Sequence, residues 1–189
     1  MRLTIPNVLT IARVVAAPLV ALCFLAMARP LADLVAFLIF AVAGISDFLD
    51  GWLARRWGQV SAFGRMLDPI ADKAMIAVTG AVLLALYDLS ALVTIPVTVI
   101  LLRETLVSGL REYLKGASVL DVTTLAKWKT TAQMTAFGAL LLAGFAGLGG
   151  WVEAAGLALL WIAAALTAIT GYDYFSRGLA YIRAEEERR

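Results

Sequence analysis

Apolar residues run along the chain in six long stretches, roughly 8–28, 34–54, 68–87, 91–112, 130–148 and 154–175, separated by short polar or turn-forming breaks. Each is near the ~20 residues that carry a helix, at about 1.5 Å per residue, across a hydrocarbon layer about 30 Å thick. The breaks hold Ala28-Arg29-Pro30, Trp57-Gly58-Gln59, Asp88-Leu89-Ser90, Lys115-Gly116-Ala117 and Gly149-Gly150, which end helices through turn chemistry or charge. In lipid every backbone polar group must be satisfied internally, so helices are expected throughout. The pattern predicts an all-α integral membrane protein, a bundle of six transmembrane helices forming one domain over residues 1–189.

Composition supports this reading: 62% of the residues are hydrophobic, and the mean hydropathy is +0.88, against roughly 45–50% apolar usage in soluble domains. The first apolar run continues through Arg13 and Pro18 to Met27 with no small-residue cleavage site after it, so it reads as a retained span. Of the sixteen Lys and Arg residues, only Arg29 falls in the breaks after spans one, three and five. The positive-inside rule then places both termini in the cytoplasm. Trp52, Trp57, Trp128 and Trp151 sit near predicted span ends, where amphipathic rings favour the interface. A net charge of +2 gives no ground for a nucleic-acid partner, and none is expected. A single cysteine, Cys23, excludes an intrachain disulfide, and the absence of histidine removes imidazole ligands, histidine bases and Ser/His triads.

The feature that the apolar pattern does not explain is a set of carboxylates between Asp47 and Asp72. In a helix, positions three, four, seven or eight apart share a face, so Asp47, Asp50, Gly51, Ala54 and Arg55 form one stripe. Asp68 and Asp72 are one turn apart on the next segment, and WGQVSAFGRM between the two pairs is short enough to fold the second pair back against the first. Charges in such segments are costly and usually functional. Four convergent carboxylates raise each other's pKa unless cations neutralise them. An all-oxygen donor set points to hard divalent ions, Mg²⁺ first, with Mn²⁺ and Ca²⁺ as the other candidates. Two such ions suit a pyrophosphate, and Arg55 can grip phosphate with both arms of its guanidinium. Taken singly these residues have plainer readings. Asp68 before Pro69 is a good N-cap with proline at the first helical position, and Arg55, Arg56 and Arg65 fit as cytoplasmic anchors.

The spacing Asp47-x2-Asp50-Gly51-x2-Ala54-Arg55-x8-Gly64-x3-Asp68-x3-Asp72 resembles the signature of the CDP-alcohol phosphotransferase family at every position. The resemblance implies a six-helix membrane fold, usually a homodimer, that moves a phosphoalcohol group from a CDP-linked donor to an acceptor hydroxyl and releases CMP. Carried over by position, it implies that Asp47 and Asp68 bridge two Mg²⁺ ions and that Asp50 holds the first. Asp72 would help hold the second and act as general base. Gly51, Arg55 and Ser61, with Asn7 and Thr10, would contact the CDP part of the donor. Read without the family, Asn7 and Thr10 are helix-start residues.

The acceptor has to be sought further on. Arg103 and Arg111 lie eight residues apart on one face of the fourth span, about 12 Å apart at the backbone, and their long arms can converge on one anion. Adjacent helix positions do not face each other, so Arg103 and Glu104 are expected to make a poor pair. Lys127, Lys129 and Thr130 follow at the opening of the fifth span. A basic pocket beside a metal site suits an alcohol with its own phosphate. Within the family, IPNVLTIAR, FLDGWLARRWGQVSAFGRMLDPIADK, RETLVSGLRE and KWKTTAQM resemble the bacterial phosphatidylglycerophosphate synthases. That implies CDP-diacylglycerol as donor and glycerol-3-phosphate against Arg103, Arg111, Lys127 and Thr130, in the bacterial inner membrane with the site facing the cytoplasm. Ala126 stands where the resemblance leads one to expect glycine. Other readings are a sister enzyme with a different acceptor such as inositol phosphate, a cation-coupled transporter and a non-catalytic assembly factor.

Overall fold

In the computed structural model, which describes residues 4–58, 61–114, 124–145 and 147–187, six helices follow one another. They are α1 (Ile5–Ala26), α2 (Leu31–Arg56), α3 (Ala62–Leu86), α4 (Ala91–Tyr113), α5 (Thr124–Leu142) and α6 (Gly149–Glu186), with no strand among the described residues. Five of them are long and apolar enough to cross a membrane. The expectation of six spans is therefore met for α1, α2, α3, α4 and α6. The exception, α5, has 19 residues and takes in Lys127 and Lys129. It starts at Thr124, ahead of the apolar run expected to begin near 130. Lys129 and Gln133 are buried, so this helix turns polar groups into the bundle.

The start of α3 is also a correction. Local preference favours a helix beginning at Asp68-Pro69, yet α3 begins at Ala62, and Ser61 caps it by accepting the Gly64 N–H at 2.9 Å. Pro69 lies inside the helix, where its missing N–H leaves the carbonyl one turn back without its usual donor. Ser61 also donates to Asn7 Oδ1 at 2.8 Å, so the cap belongs to the α1–α3 contact as much as to α3 itself. A Cβ on Gly64 would lie 3.0 Å from that same Asn7 oxygen, which is why a glycine suits this crossing. At the other end of the chain, α6 has 38 residues. At about 1.5 Å per residue it is about 57 Å long, nearly twice the hydrocarbon thickness.

The helices pack as two groups of three. In the first, α1 lies against both α2 and α3; in the second, α6 lies against both α4 and α5. The groups meet where α2 touches α5 and where α3 touches α4 and α5. Phe40 and Phe137, with ring centroids 6.5 Å apart, join α2 to α5 within a core that includes Leu83, Ile100, Leu140 and Leu160. The outer surface carries exposed apolar side chains such as Leu25, Val42, Ile162 and Ile169, as a lipid-facing surface requires, and the four expected interfacial tryptophans are exposed as well. Arg29, the exception to the charge asymmetry, is paired with fully buried Asp33 at 2.8 Å. Hydrogen bonding to Asp33 holds its pKa above the ordinary arginine value.

Candidate active site

One face of α1 organises the carboxylates. Asn7, Thr10 and Arg13 recur at intervals of three and are all buried, in a helix that is otherwise apolar. Arg13 reaches from that face to both neighbouring helices. Its Nη1 donates to Asp47 at 2.5 Å and to Asp72 at 2.6 Å, and its Nη2 donates to Asp50. The Thr10 hydroxyl donates to Asp68 at 2.7 Å; Asp50 is farther, at 3.4 Å, and a hydroxyl has one proton to give. The four carboxylates of α2 and α3 are thus tied together through α1. Asp50 is 5% exposed at its side chain, whereas Asp47 and Asp72 are 49% and 53% exposed.

Those two half-open carboxylates face a cavity of about 1530 Å³ between the two helix groups. Its other polar wall comes from α4 and α5: Arg103, Glu104, Arg111, Lys129, Thr130 and Gln133. Lys129, buried on α5, donates to Glu104 on α4 at 2.5 Å, and Arg103 reaches the same carboxylate oxygen at 3.2 Å. The Arg103–Glu104 pair forms although the two residues are adjacent, because Lys129 draws Glu104 inwards and the arginine arm is long enough to follow. Arg111 and Arg103 both stack on the ring of Tyr174 from α6, with guanidinium carbons 5.3 and 5.6 Å from its centroid. The cavity continues between α2 and α5 along apolar side chains, among them Phe37, Phe40 and Leu142.

Residues 3–169 match the model of the CDP-alcohol phosphatidyltransferase family. The chain belongs to this family. Relatives from three bacteria bear the name CDP-diacylglycerol--glycerol-3-phosphate 3-phosphatidyltransferase. That of Cereibacter sphaeroides is 44% identical over 221 aligned residues, covering 98% of this chain and 100% of the relative. That of Rickettsia bellii is 46% identical, covering 90% and 93%. That of Haemophilus influenzae is 41% identical, covering 88% and 89%.

As a CDP-alcohol phosphatidyltransferase, the chain brings Asp47, Asp50, Asp68 and Asp72 together and sets Arg103, Arg111 and Thr130 across the cavity from them. Gly51 lies in α2, half-buried, one residue beyond Asp50. Neither Asn7 nor Thr10 caps a helix: Thr4 stands at the N-cap of α1, and both side chains point into the bundle, towards Ser61 and Asp68. The side chains of Arg55 and Lys127 lie outside the described residues. Sequence reasoning missed Arg13 and Tyr174, and it took Glu104 only as a poor partner for Arg103, whereas the two pair at 3.2 Å. The three-residue interval Asn7, Thr10, Arg13 was the available signal for the first; no local signal marks Tyr174.

Three carboxylates converge on the single positive charge of Arg13, a fourth lies one hydroxyl away, and two of them open to the cavity. Among the described residues no three carboxylates close on one point as a preformed ion cage; the guanidinium is the group they close on. The excess negative charge and the all-oxygen chemistry fit hard divalent ions.

Proposed function

We propose that this chain transfers the phosphatidyl group of CDP-diacylglycerol to the hydroxyl of glycerol-3-phosphate, giving phosphatidylglycerophosphate and CMP. One observation carries the reading: a single cavity has the Asp47 and Asp72 carboxylates on one wall and Arg103, Arg111, Lys129 and Thr130 on the other. The first wall suits a diphosphate with its metal ions, the second an acceptor that carries a phosphate of its own. The name shared by the relatives supports the same substrates.

In this reading Arg103, Arg111, Lys127 and Thr130 hold the acceptor's phosphate, so that its hydroxyl points across the cavity. Asp72, fixed by Arg13 through one oxygen, takes the hydroxyl proton. The acceptor oxygen bonds the phosphorus that carries the diacylglycerol, and the bond from that phosphorus to CMP breaks. Gly51, Arg55 and Ser61, with Asn7 and Thr10, hold the CDP part. Divalent ions on Asp47, Asp50, Asp68 and Asp72, two Mg²⁺ in this proposal, would neutralise the diphosphate and stabilise departing CMP. No covalent enzyme intermediate is needed. The charge asymmetry supports cytoplasmic termini and a cytoplasmic site in a bacterial inner membrane, and the family resemblance supports a homodimer.

The test is CMP release by purified protein given CDP-diacylglycerol, Mg²⁺ and a panel of alcohols. Release with glycerol-3-phosphate, abolished by chelation, is expected. Release with inositol phosphate and not with glycerol-3-phosphate would overturn the acceptor assignment.

A further inference from the structure

Two arginines that grip one phosphate must be held close to each other in its absence, although their charges repel. The structure shows what holds them. Tyr174 on α6 is 3% exposed and does not line the cavity; it stands behind the basic wall. Both guanidiniums lie within the roughly 6 Å at which a ring's negative face attracts a cation. Its phenol oxygen also accepts from Arg111 Nη2 at 3.2 Å. The α6 surface is shaped around this contact. A Cβ on Gly171, one turn before Tyr174, would lie 2.8 Å from Arg103 Cγ, and one on Gly178, one turn after it, 2.6 Å from a Leu110 methyl. Arg103 therefore passes over bare backbone to reach the ring. Its Nε is buried without a partner among the described residues, while Nη1 is held by Glu104.

We propose that Tyr174 is a positioning residue for the acceptor's phosphate: it aligns Arg103 and Arg111 as a preset pair on the cavity wall without touching the substrate. Among the described side chains of this wall, Arg103, Arg111 and Lys129 against Glu104 leave an excess of two positive charges, which suits the roughly −1.5 to −2 of a phosphate monoester at pH 7. The inference rests on the reading of this wall as the acceptor-phosphate site. A rigid pair loses less freedom on binding than two independent arms, so the effect of Tyr174 falls on acceptor affinity.

The experiment compares Tyr174→Phe, Tyr174→Leu and Gly171→Ala with the unaltered protein, each purified in detergent and checked for a retained melting transition. Calorimetry reads the binding of glycerol-3-phosphate and of inorganic phosphate; steady-state kinetics reads KM for acceptor and donor separately. Tyr174→Phe keeps the ring and loses the hydroxyl, so glycerol-3-phosphate and phosphate should bind about 2–5-fold more weakly; Tyr174→Leu removes both contacts and should weaken them about 10-fold or more. Gly171→Ala displaces Arg103 while leaving the tyrosine in place and should show the same acceptor-specific loss. The KM for CDP-diacylglycerol should stay within about 2-fold. Unchanged acceptor and phosphate binding in Tyr174→Leu, or equal losses for donor and acceptor, would overturn the proposal. So would absence of phosphate binding to the unaltered protein. If that protein binds phosphate but releases CMP only with another phosphorylated alcohol, the acceptor assignment fails, and the role of Tyr174 is decided by the phosphate arm and by the KM for that alcohol.

Discussion

The two groups of three helices use one construction for opposite charges. In α1–α3 the central helix supplies Arg13 and Thr10, which tie together carboxylates from the two flanking helices. In α4–α6 the central helix supplies Tyr174, which gathers two arginines from α4, while Lys129 of α5 comes in through Glu104. The difference lies in the central group. Arg13 neutralises charge, so the acidic side depends on it for stability as well as for shape. Tyr174 is neutral and attracts both cations through its ring face, so on the basic side it governs direction more than charge. Clusters of like charge near lipid can be held by a counter-ion, as Arg13 holds the carboxylates, or by a counter-ion together with an oriented aromatic, as Glu104 and Tyr174 hold the cations.

That contrast can be broken at several points. The largest effect is expected at the proposed base: Asp72→Asn should lower CMP release by about 10²–10⁴-fold, while labelled CDP-diacylglycerol still binds; retained turnover would remove Asp72 from that role. Next, Arg13→Leu leaves Asp50 buried without its cation and should destabilise the protein by about 3–5 kcal/mol, as a large drop in melting temperature. Added Mg²⁺ should recover part of that drop, because divalent charge can replace the guanidinium; no recovery would argue that the carboxylates hold no ion. On the basic side, Arg111→Ala should raise the KM for glycerol-3-phosphate by about 10–100-fold, the equivalent of losing a charge-assisted hydrogen bond of about 1.5–3 kcal/mol, with little loss of melting temperature. A matching fall in stability would erase the distinction between the halves. The smallest effect belongs to the cap: Ser61→Ala should cost about 1 kcal/mol of stability through the start of α3, read from the melting transition.

Much of the acidic side was legible because its signal is local. Asp47 and Asp50, and Asp68 and Asp72, are each spaced for one helix face, and all four stand out against an apolar background. Arg13 escaped because a lone arginine in the first turns of a span reads as a cytoplasmic anchor. What separates it from an anchor is its register with Asn7 and Thr10. On the basic side, the eight-residue spacing of Arg103 and Arg111 showed a shared face, but their partner Tyr174 lies 63 residues beyond Arg111, and no pattern along the chain predicts that meeting. The same limit explains the start of α3. Asp68-Pro69 is the stronger local cap, and Ser61 prevails through a contact with Asn7, 54 residues away. It also explains α5, whose Lys129 is tolerated in the bundle because Glu104 of α4 receives it.

Arg13 also bears on how the chain enters the bilayer. Synthesis runs from the N-terminus, so the cation on α1 is in place before α2 delivers Asp47 and Asp50 and before α3 delivers Asp68 and Asp72. An acidic residue costs up to about 2.5–3.5 kcal/mol at the centre of an inserting helix and less towards its ends, and here each acidic helix arrives beside a helix that already carries the answering charge. The order of the residues along the chain is thus an order of assembly in which the counter-charge comes first.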